Sequence, residues 1–387
     1  MKVQYDALAN ERGISTSQYV LQFDVTEKGL AIKDAYVKAT DPWIGWFSLT
    51  MGMQNRPFGY EIGYTSNWRE SPERGRMSQI IFPGERDAGA MLSIQGPKGG
   101  RWNWIKLDAG FFNGTGARGA GLDASDFDKY KDFIGRIGMT KSSLSENFKF
   151  SMGFSYYDGG FRHDQSDAYK YGTDTNNVKG FIIDVKKADV PTDISARSSI
   201  KRNYIGADAQ FSIDWLPGIT TLRAEYIQGV QPGTSSSTNS AAAPLTSTVN
   251  NTFIVFDTLG KAQTITTSST VNNDLYSRKF NGGYFYFLQN IMQTPFQLIV
   301  KYDWYDPNTD VSGDEIGKKL SGANLKSLNS SDVKFSTWGF GLTYHWDANL
   351  KITGYYEMVK NETSKNLSNY AADIKDNVFT LRLQVKF

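Results

Sequence analysis

The stretch that decides the fold class is the carboxy-terminal Asn377-Val-Phe-Thr-Leu-Arg-Leu-Gln-Val-Lys-Phe387. Polar residues separate apolar ones that take every second position: Phe379, Leu381, Leu383, Val385 and Phe387. A period of two is that of a β-strand with one apolar and one polar face. The length of the stretch is about that of a tilted strand that crosses a bilayer. The stretch therefore predicts a membrane-spanning β-strand.

The same alternation recurs along the chain and predicts an all-β, membrane-spanning, antiparallel up-and-down β-barrel. We count fifteen such segments, of which Lys2–Ala9 is the weakest. Bacterial barrels usually have an even number of strands, so we expect about sixteen, with one strand upstream of residue 1. If Lys2–Ala9 is not a strand, the number is about fourteen. The start Met1-Lys-Val-Gln-Tyr-Asp6 lacks an apolar core, so we expect a signal peptide upstream as well.

The connections between the predicted strands alternate between long and short from residue 54 onward. The long links are 55–85, 113–129, 157–199, 230–278, 306–333 and 360–376. The short links are 96–102, 141–146, 216–219, 291–295 and 347–349. Long extracellular loops and short periplasmic turns are typical of outer-membrane barrels, so residues 1–387 are predicted to form one domain. The link 230–278 is rich in Ser, Thr and Asn and is expected to be a mobile external loop.

Composition agrees with this prediction and excludes a helical membrane protein. The chain has no Cys, and no run of apolar residues is long enough for a transmembrane helix. Its mean hydropathy of −0.44 is compatible with a barrel, because only alternate strand residues face lipid. Aromatic residues near strand ends are expected to form interfacial girdles: Trp43, Trp102, Trp215, Trp304, Tyr305 and Trp346. The net charge of +2 says little by itself.

Three segments resemble the phosphate-selective porins O and P. They are Ile32-Lys-Asp-Ala-Tyr-Val37, Gly52-Met-Gln-Asn-Arg-Pro-Phe-Gly-Tyr-Glu61 and Pro83-Gly-Glu-Arg-Asp-Ala-Gly89. The aromatic residue at the end of the chain also resembles the closing strand of outer-membrane barrels. The resemblance covers roughly residues 17–112 and implies a sixteen-stranded, usually trimeric barrel in the bacterial outer membrane. The implied partners are the bilayer, its lipopolysaccharide and small anionic solutes. The alternative for Pro57-Phe58-Gly59 is a plain turn at a strand end.

Strand parity predicts which charged residues face the pore. If the apolar face meets lipid, the opposite face is the lumen. Its predicted basic residues are Lys106, Arg136, Lys149, Arg202, Arg223, Lys279, Lys301, Lys351, Arg382 and Lys386. Basic rings favour anions, and acidic residues on the same face are slightly fewer. The alternative is that charges compensate in pairs, such as Arg223 with Glu225 or Lys301 with Asp303.

Link 55–85 is the candidate constriction loop, because a long porin loop often folds into the barrel. Its basic residues, together with the one just after it, are the best candidates for anion selectivity: Arg56, Arg69, Arg74, Arg76 and Arg86. Guanidinium groups suit phosphate and carboxylate. The alternative is a solvated surface loop, since Glu61, Glu70, Glu73 and Glu85 nearly balance the charge.

Other kinds of site have weak support in the sequence. Asp306, Asn308 and Asp310 have the oxygen spacing of a Ca²⁺ loop, but Val311 replaces the required Gly, so a polar turn is the better interpretation. The histidines are His163, in a long link beside Asp164, and His345, at a strand end, so we expect no enzyme. Cofactor and nucleic-acid motifs are absent from the sequence. The predicted function is a porin for passive diffusion, and the alternative is a non-conducting barrel that serves as anchor, adhesin or scaffold.

Overall fold

The computed structural model describes residues 2–26, 29–114, 130–143, 145, 147–162, 167–186, 199–238, 246–256, 261–320 and 325–385. The fold in these residues is all-β, as predicted. The first strands are β1 (Lys2–Asp6), β2 (Ser17–Thr26), β3 (Gly29–Thr40), β4 (Phe47–Asn55), β5 (Arg86–Gln95), β6 (Ile105–Phe112), β7 (Asp132–Ser142), β8 (Phe148–Arg162), β9 (Ala168–Thr173) and β10 (Lys179–Val185). The others are β11 (Ser199–Trp215), β12 (Gly218–Gly233), β13 (Thr246–Phe256), β14 (Ala262–Asn272), β15 (Leu275–Asn290), β16 (Phe296–Asp306), β17 (Leu325–Lys326), β18 (Phe335–His345), β19 (Leu350–Asn361) and β20 (Val378–Val385).

Helical structure is short. One α-helix, α1 (Arg76–Ile81), lies in link 55–85, and 3-10 turns occupy Gly313–Glu315, Ser330–Asp332 and Ser368–Tyr370. Across the part of the chain that the structure describes, no helix has the length and apolar character needed to span a bilayer.

Fifteen strands form one antiparallel wall in chain order: β1 to β8, then β11, β12, β15, β16, β18, β19 and β20. This confirms the predicted antiparallel up-and-down fold class. The first segment, Lys2–Asp6, is a strand and pairs with β2, so it counts toward the wall. Because fifteen is odd, β1 and β20 run in the same direction, and the described residues contain no pairing between them.

From residue 54 onward, links at the two ends of the wall differ in length, as the sequence predicted. At the short-turn end, β11 and β12 are joined by two residues, since Trp215 pairs with Gly218. At the long-link end, the link after β8 contains the antiparallel pair of β9 and β10. There β9 also pairs with β15, and β10 pairs with β17. The link 230–278, expected to be a mobile loop, contains the separate hairpin of β13 and β14.

The outward face of the wall is an apolar band. Representative exposed residues are Leu49, Leu107, Phe154, Leu342 and Leu381, at alternate positions of their strands. Aromatic residues cluster at the short-turn end, where Trp43, Trp102, Trp215 and Trp346 are all exposed. Tyr305 was expected in an interfacial girdle but is buried on the inward face at the long-link end.

The wall curls around the residues between β4 and β5. This loop contacts inward side chains of strands that are far apart in the sheet, among them β8 (Ser155), β12 (Glu225), β15 (Tyr286) and β20 (Arg382). A flat sheet could not bring these strands to one short segment. The loop therefore lies in the interior of a barrel-shaped wall.

Two strands depart from the simple alternation. In β15, Phe280, Tyr284, Tyr286 and Leu288 are buried on the inward face, whereas the sequence placed them toward lipid. There, loop 55–85 packs against Tyr284 through Gly75 and against Tyr286 through Ser71. In β3, Gln22 pairs with Asp34 and Phe23 with Ile32, which leaves Lys33 as an extra residue in a β-bulge. A bulge interrupts the period of two, so parity could not assign the inward residues of β3.

Candidate pore and the loop inside it

The three segments that carry the family resemblance meet at the base of loop 55–85. The Arg86 guanidinium lies 3.0 Å from the Asp34 carboxylate and also pairs with Glu85. Backbone N–H of Arg56 donates to the Glu85 carbonyl at 3.3 Å. Asp87 accepts a hydrogen bond from the Gly114 amide at 2.8 Å. These contacts fasten both ends of the loop to the wall.

The middle of the loop is attached to the opposite side of the wall. Glu225 on β12 accepts hydrogen bonds from the Glu61 amide at 3.0 Å and from the Tyr284 hydroxyl at 2.7 Å. Gly59 has φ +61, and a Cβ there would collide with the Glu225 carboxylate, so only glycine fits this approach. Arg382 on the last strand donates to the Pro72 carbonyl at 2.9 Å.

Apolar side chains fill the space between the loop and this side of the wall. Phe58, Met77, Ile81 and Phe82 of the loop are all buried. They join a cluster of wall residues that comprises Phe112, Ile134, Tyr157, Tyr204, Ile227, Phe280, Tyr284, Tyr286, Leu288, Ile299, Tyr305 and Tyr355. Such close packing leaves no aqueous passage through the cluster itself, so solvent access lies on the other side of the loop.

On that other side a polar cavity of about 1170 Å³ separates the loop from the inward face of β2 to β6. Its basic lining residues are Lys2, Lys33, Lys38, Arg86 and Lys106, and its acidic ones are Asp24, Asp34 and Glu85. Hydroxyl and amide groups of Tyr36, Thr50, Gln54, Ser93 and others complete the lining. Charged and polar surface of this kind is suited to water and hydrophilic solutes rather than to apolar ligands.

The loop arginines that the sequence proposed as selectivity residues lie mostly within the loop's own packing. Arg56 lies over the Phe82 ring at 4.7 Å, and Arg69 is 3.9 Å from Glu85. Arg74 donates to the Phe82 carbonyl at 3.1 Å and is 3.6 Å from Glu85, while Arg76 lies 4.0 Å over the Phe335 ring. Glu85 thus compensates several of these charges at once.

Burial changes the acid–base properties of two of these groups. It lowers the pKa of the Arg74 guanidinium, an effect that the Glu85 carboxylate opposes. Burial likewise lowers the pKa of Arg76, against the opposing effect of Asp303. Each nearby carboxylate therefore helps to keep a buried guanidinium charged.

Most predicted basic residues of the wall are held in ion pairs. Arg136 pairs with Asp208 at 2.7 Å, Arg202 with Asp132, Lys301 with Asp303 at 3.0 Å and Lys106 with Asp108 at 2.9 Å. Arg223 pairs with Glu70 of the loop at 3.0 Å, and not with Glu225 as the sequence suggested. Lys149 is exposed at the short-turn end. Lys351 donates to the Arg69 carbonyl at 3.1 Å.

Lys279 was assigned to the lumen, and this assignment is wrong. It has the same parity as the exposed Phe285 and therefore lies on the outward side of β15, 3.2 Å from Asp310. Of the basic residues that the sequence proposed for the lumen and the loop, and that the structure describes, only Arg86 and Lys106 line the polar cavity. Lys386 and Phe387 lie outside the described residues.

Residues Lys33 and Lys38 were missed by the sequence analysis although both line the cavity. The bulge at Lys33 hid the inward face of β3. The family resemblance of Ile32–Val37 indicated this part of β3, but it did not indicate which of its side chains face the cavity.

The candidate Ca²⁺ ligands do not assemble into a metal site. The Asn308 side chain donates to Asp332 at 2.9 Å, and the Asn308 backbone N–H donates to Asp306. Asp310 accepts a hydrogen bond from Lys279, so the Ca²⁺ candidates form a polar turn. Within the described residues, no group of three or more His, Asp or Glu side chains is placed to hold a metal ion. His163 and Asp164 lie outside these residues, and His345 is at the short-turn end.

Comparison with other proteins gives a likeness of fold at low identity. No family model matches the chain, and no curated protein matches its sequence. The chain is similar to the outer membrane channel DcaP of Acinetobacter baumannii, at 13% identity and a TM-score of 0.46, over 96% of this chain and 80% of that one. It is similar to OmpT, an outer membrane protein of Vibrio cholerae, at 9% identity and 0.45, over 99% and 88%. An anion-selective porin from Comamonas acidovorans is 11% identical at 0.43, over 95% and 82%. Values this low carry no argument about function.

Proposed function

We propose that the protein is a porin of the bacterial outer membrane through which small hydrophilic solutes diffuse passively, with a preference for anions. The observation that carries the proposal is the polar cavity between loop 55–85 and β2 to β6, inside a wall whose outward face is apolar. An apolar outside and a charged, hydrated inside are what a barrel channel in a bilayer requires.

Loop 55–85 sets the width of the passage in this proposal. It is attached at its base by Asp34 and Arg86, and across the interior by Glu225 and Arg382. A segment fixed on both sides narrows the lumen permanently rather than opening and closing. The passage between the loop and β2 to β6 therefore has a fixed width, which limits the size of the solutes that cross it.

The preference for anions is supported by the charge of the cavity. Five basic and three acidic residues line it, so the surface that a solute meets carries a positive excess. Phosphate as the solute, a homotrimeric assembly and contact with lipopolysaccharide follow from the family resemblance and remain predictions.

The decisive experiment is conductance of the purified full chain in a planar bilayer, combined with cysteine accessibility. Because the chain has no Cys, Gln22→Cys introduces one thiol into the cavity lining, at a position of β2 that is only partly buried. A bulky water-soluble thiol reagent should lower the conductance of this variant. The matched control is Leu49→Cys on the outward face, where Leu49 is 41% exposed and the reagent should change nothing.

Two results would contradict the proposal in different ways. Folded protein without any channel activity would remove the porin function and favour a non-conducting barrel, for which the apolar packing across the interior gives a structural reason. Channels that the reagent leaves unchanged in Gln22→Cys would show that solutes take another path.

A further inference from the structure

Three of the five basic residues that line the polar cavity are held in ion pairs, whereas Lys2 and Lys38 are not, within the described residues. Lys33 lies 3.7 Å from Asp24, and Arg86 lies 3.0 Å from Asp34 and pairs also with Glu85. Lys106 is 2.9 Å from Asp108 at the edge of the cavity. The Lys38 side chain makes no ion pair or hydrogen bond with any residue in the ranges that the structure describes, although its backbone pairs with β2 and β4.

Lys38 lies near the short-turn end of β3, which ends at Thr40, and its side chain is partly withdrawn from water. It is half-buried on β3 and pairs across the sheet with Thr50 of β4, while Lys2 is exposed on the first strand. An ammonium group that is partly withdrawn from water and has no carboxylate partner attracts an anion more strongly than a paired or fully exposed one.

The neighbours of Lys38 provide further groups that can bind an anion. Lys106 lines the same cavity and its positive charge acts on Lys38, while the carboxylates of Asp108 and Asp6 act on Lys38 in the opposite sense. The carboxylate that compensates Lys106 is already engaged, because Ser93 also donates a hydrogen bond to Asp108 at 2.5 Å. The hydroxyl groups of Tyr36 and Thr50 line the same cavity and can donate to an oxygen atom of a solute.

We propose that Lys38, assisted by Lys106, forms the anion-selectivity site of the channel. It binds small oxyanions, such as inorganic phosphate or short carboxylates, while they cross the channel. The inference rests on the proposed porin function and deepens it. It moves the selectivity from the arginines of loop 55–85 to the wall strands β3 and β6. The loop arginines then hold the constriction in place, and the wall lysines face the solute.

The test is the chloride-to-potassium permeability ratio of the full-length channel under a KCl gradient, with inorganic phosphate as the blocker. Lys38→Gln should lower the ratio by roughly two- to fivefold, the effect of one charge a few ångströms from the path at moderate ionic strength. The same variant should need a higher phosphate concentration for block. Lys38→Glu should give a cation-preferring channel. The matched control is Lys201→Gln, an exposed lysine on the outward side of β11.

The outcomes separate this inference from the porin function. If wild type conducts and Lys38→Gln and Lys38→Glu conduct with an unchanged ratio, the inference is wrong and the porin function stands. If Lys201→Gln changes the ratio as much as Lys38→Gln, the preference comes from overall charge and not from this site. If wild type forms no channels, both fail. Circular dichroism of each variant shows whether the β-structure has formed.

Discussion

Phe58→Ala is the perturbation that best tests whether apolar packing holds loop 55–85 inside the barrel. Phe58 is 1% exposed and packs in the centre of the interior cluster. Its ring centroid lies 5.1 Å from that of Phe82, 6.2 Å from Tyr204 and 6.3 Å from Tyr157. The substitution removes these contacts and leaves a cavity between loop and wall.

The expected loss of stability follows from this environment. Replacing a buried Phe by Ala costs about 3–5 kcal/mol, through lost transfer energy and the cavity that remains. Three aromatic neighbours each add roughly 0.5–1.5 kcal/mol beyond burial, so the upper part of that range applies. Polar attachments at Glu225 and Arg382 remain, so we expect a loosened loop and not an unfolded barrel.

Two measurements check this prediction. Guanidinium unfolding followed by tryptophan fluorescence should show a lower midpoint, and single-channel records should show a larger or noisier conductance. The control is Phe111→Ala, because Phe111 is 60% exposed on the outward face and its loss leaves the interior intact. A Phe58→Ala protein with the midpoint and conductance of wild type would refute the idea that this ring anchors the loop.

Two further substitutions probe single contacts by chemical unfolding. Gly59→Ala places a Cβ at φ +61 against the Glu225 carboxylate. Left-handed strain alone costs about 1–2 kcal/mol of the free energy of unfolding, and we expect this variant to lose more than that. Gly13→Ala, with φ +73 and open space around it, measures that strain without the collision, so equal losses would contradict the close approach. Arg202→Met leaves the buried Asp132 carboxylate unpaired and should cost about 3–5 kcal/mol at neutral pH; an unchanged unfolding midpoint would mean that the pair is dispensable.

Sequence periodicity predicted the wall well, because a strand between lipid and water must alternate. It failed at β15, where Tyr284 and Tyr286 are large and aromatic yet face inward. An aromatic side chain packs favourably both against lipid and against a buried loop, so the pattern alone cannot distinguish these environments. It failed at β3 because one bulged residue, Lys33, reverses the parity.

The site was harder to predict than the fold because its partners are distant in sequence. Lys301 and Asp303 share one face of one strand, and their pairing could be suggested from spacing. The partner of Arg223 is Glu70, 153 residues away, and no local pattern indicates it. The loop arginines had the right residue type for anion binding, but their role depends on carboxylates that only the folded chain brings near.

The attachment of loop 55–85 to the last strands also bears on the order in which the chain can fold. Arg382 and the Pro72 carbonyl that it contacts are 310 residues apart, and Gln384 and Ser66 are 318 apart. Loop closure on this scale is entropically costly, and chains dominated by such distant contacts fold slowly. The interior therefore reaches its final packing only when β20 is in place, and a chain interrupted before that strand would keep an incompletely attached loop.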